Sequence, residues 1–128
     1  MLIDNEKAYK KALDQLRLYP MWAVDVETNG LDPYGMNQLC GIGIGVLSLE
    51  TEEIETFYFP VRHQQGVNLS PDLVKDLMKV MSDRETLLGY NLKFDARFLE
   101  NGGLDITGIN LIDLSLIHIS EPTRQAEI

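Results

Sequence analysis

Residues 22–32 read Trp22-Ala23-Val24-Asp25-Val26-Glu27-Thr28-Asn29-Gly30-Leu31-Asp32. Trp22, Val24 and Val26 alternate with Ala23, Asp25 and Glu27, which is the period of a strand. Side chains on a strand alternate between faces, so Asp25 and Glu27 share one. At about 3.3 Å rise per residue their Cα atoms lie roughly 6.5 Å apart. Two carboxylates held side by side repel unless protonated or neutralised. A hard divalent cation that prefers oxygen ligands neutralises them. Asn29-Gly30 breaks the strand, so both acids sit near its end, where sites in open α/β sheets lie. An Asp-x-Glu taken alone also describes any solvated strand face, so the flanking residues and the rest of the chain carry the weight.

Upstream, residues 4–18 read as a helix capped by Asp4, with Glu6 in its first turn and Ala8, Ala12, Leu13 and Leu16 as an apolar stripe. Pro20 ends it. Downstream, residues 30–37 form a turn with Pro33 and Gly35. Residues 38–49 and 54–61 read as two further strands, joined tightly enough to be antiparallel neighbours. Gly41, Gly43 and Gly45 fall on one face of the first of these. A dinucleotide loop needs its glycines between a strand and a helix, so close packing of a helix or backbone over the bare face is the preferred reading. His63 lies in a polar loop and reads as an exposed histidine. Ser70-Pro71 opens a second helix, with Leu73, Val74, Leu77, Met78 and Met81 as its buried stripe. Residues 86–91 are a short fourth strand. It follows a helical crossover and is therefore parallel to the first. A third helix over 92–100 ends at Gly102-Gly103, and residues 109–112 make a fifth strand leading to Asp113.

Asn91-Leu92-Lys93-Phe94-Asp95 straddles the step from fourth strand to third helix. A first-turn acid favours the helix dipole in any helix. Here a parallel neighbouring strand also brings Asp95 to the same end of the sheet as Asp25 and Glu27. Three converging acids are costly without metal and useful with it.

The two patterns together, Asp-x-Glu-Thr-x-Gly-Leu-Asp and Asn-x-x-x-Asp, resemble the first two motifs of the DEDD 3′–5′ exonucleases. The likeness is greatest to the proofreading domains of family A DNA polymerases, the polymerase I type, and covers residues 21–114. It implies an α/β fold of the RNase H-like kind, a mixed five-stranded sheet with flanking helices, incomplete at the C-terminus. It implies two divalent metal ions, Mg²⁺ or Mn²⁺, with Asp25 bridging both, Glu27 on one and Asp95 holding the second through water. Thr28, Leu31, Asn91 and Phe94 become substrate-binding residues, with Leu31 against the terminal base. The implied partners are a single-stranded DNA 3′ end and a polymerase domain or subunit.

The family's third motif, Tyr-x-x-x-Asp or His-x-x-x-x-Asp, is missing. No aspartate follows Asp113, no tyrosine follows Tyr90, and His118 precedes Glu121 by the wrong spacing. Asp113 reads as structural. The expected organisation is an N-terminal helix over 1–20, an exonuclease-like domain over 21–117 with the first two motifs only, and a tail of doubtful origin over 118–128, from a truncated reading frame or a foreign segment. Activity from this chain alone is expected to be weak. The rival reading is a non-catalytic module that keeps the fold and binds a polymerase or a 3′ end.

A length of 128 residues suits one domain with a real core. The single cysteine, Cys40, excludes an internal disulfide and reads as a small buried strand residue in a reducing compartment. With no signal-like N-terminus and no long apolar run, the expectation is a cytoplasmic protein with no membrane partner. The net charge of −9 argues against a broad basic nucleic-acid surface.

Overall fold

A computed structural model describes residues 1–30 and 38–116. The expected turn over 31–37, with Leu31, and the tail over 118–128 lie outside the described residues. The elements run α1 (Glu6–Leu16), β1 (Met21–Thr28), β2 (Leu39–Leu47), β3 (Ile54–Pro60), α2 (Pro71–Ser82), β4 (Thr86–Gly89), α3 (Leu92–Asn101) and β5 (Asn110–Asp113), with a 3₁₀ turn at Leu114–Leu116. The strands form one mixed sheet in the order β3-β2-β1-β4-β5. β1–β2 and β2–β3 pair antiparallel, whereas β1–β4 and β4–β5 pair parallel.

β1 lies at the centre because its alternation suits a strand with one buried and one open face. Trp22 and Val24 are buried, Asp25 and Glu27 exposed. Trp22 is fully enclosed and donates its indole N–H to the Leu16 carbonyl at 3.0 Å, so its polar end is satisfied. Ile42 and Ile44 of β2, Phe57 and Phe59 of β3 and Leu87 of β4 share its core. Each of the three helices contributes to that same core: Tyr9, Leu13 and Leu16 from α1, Leu77, Met78 and Met81 from α2, and Leu92, Phe98 and Leu99 from α3. Burying side chains of this size stabilises by roughly 1.5–3 kcal/mol each before conformational entropy is set against it.

The other face is different. Ala23, Asp25 and Glu27 of β1 stand opposite Gly45, Gly43 and Gly41 of β2. Among the described residues this face is a shallow open cleft of about 610 Å³, bordered by Asp25, Gly43, Ile54, Thr56, Leu88 and Tyr90. What lies over Gly41 is neither helix nor backbone but the Tyr58 side chain of β3, which a Cβ at residue 41 would overlap. The sequence reading of that glycine face is corrected accordingly.

Two boundaries also differ from expectation. Asn5, not Asp4, caps α1, its side-chain oxygen accepting from the Ala8 N–H at 2.8 Å, and the helix ends at Leu16. β4 stops at Gly89 rather than residue 91, because there the chain passes so close to β1 that a Cβ at residue 89 would lie 2.6 Å from the Val24 carbonyl oxygen. Ser70 caps α2 as expected, with Pro71 at its first position. Cys40 is half-buried rather than buried.

Candidate active site

β4 pairs with β1 only from Met21 to Ala23. Beyond that, the edge of β1 is left to the start of α3. Asn91 makes the bend in the left-handed region, with φ 66 and ψ 39. Asparagine tolerates that conformation better than most side chains, and such backbone gathers at functional sites. Asp113, at the end of the neighbouring β5, secures the bend. Its carboxylate accepts from the Asn91 N–H at 3.0 Å, the Lys93 N–H at 3.3 Å, and both the N–H and hydroxyl of Ser115 at 3.0 and 2.6 Å. The Ser115 hydroxyl foremost, with the backbone donors, holds its pKa down to about 2. Asp113 is thus structural, as the sequence suggested, and its role is to cap the start of α3.

This bend delivers Asp95 to the end of β1. Asp95 is 5% exposed, and it accepts from the Val26 backbone N–H that β4 no longer reaches. Its Oδ2 is buried with no hydrogen-bond partner. Burial first, and the negative charge of Asp25 second, raise its pKa to about 6. Asp25 and Asp95, 70 positions apart in sequence (95 − 25), are therefore close enough to repel.

Glu27, on the same face as Asp25, leans toward β3. Its Oε2 accepts from the Tyr58 hydroxyl at 2.9 Å, and the same hydroxyl oxygen lies 2.6 Å from His63 Nε2. Burial and the bond to Glu27 push the Tyr58 hydroxyl well above its ordinary range. Among the described residues, no three His, Cys, Asp or Glu side chains close on one point as a ready-made cation site. Glu27 is drawn toward β3, while Asp95 enters from the β4 side.

The remaining expected residues are spread around this point. Asn91 forms the bend itself. Phe94 is half-buried and stacks obliquely on Phe98, with centroids 5.1 Å apart. The Thr28 hydroxyl is committed to the Gly30 carbonyl at 2.5 Å. The sequence reading missed Tyr58. It also took His63 for an exposed loop residue, but His63 is half-buried, edge-on to Tyr58, and pinned by reciprocal bonds to Asn68. The only sequence signals for this group are the missing Cβ at Gly41 and the period-2 position of Tyr58 on the open face.

An unsatisfied buried carboxylate oxygen beside a second acid, with a third two residues along the strand, is an all-oxygen donor set. It fits a hard divalent ion better than it fits an empty core.

A family profile described as 3′–5′ exonuclease matches residues 1–121. The chain belongs to that family, the exonuclease domain of the DNA polymerase A type. It is 32% identical over 102 residues to DNA polymerase I of Synechocystis, a match covering 78% of this chain and 10% of that protein. Among solved structures, the Trypanosoma brucei RNase D complex with RNA U12 aligns with a TM-score of 0.66 at 22% identity, over 89% of this chain and 37% of the other. The Aedes aegypti Nibbler EXO domain aligns at 0.61 and 16% identity, over 94% and 55%. These likenesses show the RNase H-like fold. No helix among the described residues is long and apolar enough to cross a membrane.

Proposed function

We propose that this chain carries the acidic cluster of a 3′–5′ exonuclease that hydrolyses DNA phosphodiester bonds from a single-stranded 3′ end and proofreads for a polymerase domain or subunit. The observation that supports this most directly is the unpartnered Oδ2 of Asp95, buried against the charge of Asp25. Asp25, Glu27 and Asp95 would hold two Mg²⁺ or Mn²⁺ ions, which when bound supply an activated water and stabilise the leaving 3′ oxygen. The protein's own part is positional. β1 presents Asp25 to the open cleft and carries Glu27 two residues further along the same face, and the Asn91 bend with its Asp113 cap fixes where Asp95 arrives. The cleft beside Asp25 leaves room for a nucleotide strand. Leu31 is proposed to pack against its terminal base, with Asn91 and Phe94 lining the site and Thr28 keeping the strand end in shape.

A water-orienting Tyr-x-x-x-Asp is absent from the sequence. General base assistance of that kind is worth roughly 10²–10⁴-fold. The chain alone is therefore expected to shorten a 5′-labelled oligonucleotide slowly in Mg²⁺ or Mn²⁺. A fusion supplying Tyr-x-x-x-Asp should restore stepwise release of nucleoside monophosphates, and Asp25→Ala should abolish it. A fusion that stays inactive yet binds 3′ ends would instead favour the non-catalytic module. That no three acidic side chains close on one point among the described residues is the feature that speaks for that second reading.

A further inference from the structure

Tyr58 has a single hydroxyl hydrogen and two neighbours. Glu27 as a carboxylate can only accept, so the Tyr58 hydrogen goes to its Oε2. His63 Nε2, 2.6 Å from the Tyr58 oxygen, must then be the donor in that contact, which fixes the ring with its proton on Nε2. The chain runs His63 to Tyr58 to Glu27 in one direction, each bond polarising the next.

The surroundings are built to keep it so. Asn68 accepts from the His63 backbone N–H at 2.8 Å and returns its own amide to the His63 carbonyl at 3.0 Å, holding the loop that carries the ring. The absent Cβ at Gly41 leaves the space the Tyr58 hydroxyl occupies, and Gly41 stands directly opposite Glu27 in the ladder. Tyr58 alone bonds Oε2 of Glu27, while His63, Asn68 and Gly41 set where that hydroxyl lies.

We infer that Tyr58, backed by His63, is a positioning residue that holds Oε2 of Glu27 and presents Oε1 alone as a single-oxygen ligand to a divalent ion at the acidic cluster. This rests on the reading of Asp25, Glu27 and Asp95 as metal ligands. Outer partners of ligating carboxylates fix their orientation, and losing one costs about 10- to 100-fold in metal affinity. Without the hydroxyl, Glu27 is free to rotate away from the cluster or to bind through both oxygens.

Two measurements on the whole chain test it. The first needs no metal: ¹⁵N NMR of the histidines at about pH 8.5, above the ordinary imidazole range. His63 should be in the Nε2–H form in the wild type and lose that preference in Tyr58→Phe; an Nδ1–H ring in the wild type overturns the chain. The second is Mn²⁺ affinity by calorimetry or electron paramagnetic resonance. Tyr58→Phe should bind about 10- to 100-fold more weakly, and Gly41→Ala, whose methyl displaces the hydroxyl without removing it, should behave alike. In a Glu27→Gln background Tyr58→Phe should add no further loss, since both changes act through one carboxylate. An equal loss in both backgrounds reduces Tyr58 to a structural residue, and an unchanged or tighter affinity sinks the inference. Wild-type Mn²⁺ binding that survives Asp25→Ala fails the metal-site reading itself. Binding that needs Asp25 but ignores Tyr58 fails only the present inference. A chain that binds no Mn²⁺ removes both.

Discussion

Asp95 is the residue at which stability and chemistry pull apart. Its folded-state pKa of about 6, raised by burial and then by Asp25, exceeds the ordinary carboxylate value of about 3.9. A carboxyl whose folded pKa is raised costs stability as it ionises: the fold loses free energy as pH rises from about 4 through 6, then loses no more on this account. Asp95→Asn is neutral at every pH. It should stabilise the metal-free chain at pH 8 by about 1–3 kcal/mol, and flatten the stability curve between pH 4 and 6, measured by urea unfolding. Mg²⁺ or Mn²⁺ should raise the stability of the wild type and not of this variant; the reverse order would mean that Asp95 does not contribute to a cation site. The exposed pair Asp25 and Glu27 was readable from β1 alone, because alternation assigns a face whatever the partners are. The tie between Glu27 and Tyr58 was not. It depends on the register of β3 across an intervening strand, and on the emptiness above Gly41, and neither is written in the local pattern of either strand.

At the scale of elements, the step from β4 to α3 carries most of the precision. It depends on Gly89, which passes against the Val24 carbonyl, on the left-handed Asn91, and on the Asp113 cap. Since the folded pKa of Asp113 is lowered to about 2, its contribution is fully present above the ordinary value of about 3.9 and is lost as pH falls from there toward 2. Asp113→Asn should lower the melting temperature at neutral pH and remove part of the acid-limb decline between pH 4 and 2. Hydrogen exchange should show the amides of Asn91 and Lys93 losing protection first; unchanged exchange there would deny the capping role. The helices and strands themselves were legible, down to Ser70 as a cap and the parallel sense of β4. What shifted were ends: Asn5 replaces Asp4 because either residue can cap, and only the path of the chain decides. β4 ends early because β1 crowds it, a contact between segments 65 positions apart (89 − 24).

For the molecule as a whole, the helices gather on one side of the sheet, and the open side presents acids. With a net charge of −9, little counterion release is available on binding DNA. Single-stranded DNA should bind this chain no tighter than about 10⁻⁴ M at physiological salt, with a shallow salt dependence in fluorescence anisotropy. Micromolar, steeply salt-sensitive binding would show that a basic track has been overlooked.

The order of the strands has a kinetic consequence. β2 and β3 meet through residues as near as Leu47 and Ile54, whereas β1 meets β4 through Ala23 and Leu88, 65 positions apart (88 − 23). Closing the longer loop carries the larger entropic cost, so the β1-β2-β3 meander is expected to assemble first and β4 with α3 to dock afterwards. Asp95 then reaches Asp25 only on the downhill side of the barrier. In stopped-flow chevrons, Asp95→Asn should slow unfolding while leaving the refolding rate nearly untouched, a φ-value close to zero. The electrostatic strain that a metal site requires would, by this ordering, burden the finished molecule without slowing its formation. A refolding rate that rises in step with stability would instead place the arrival of α3 within the nucleus.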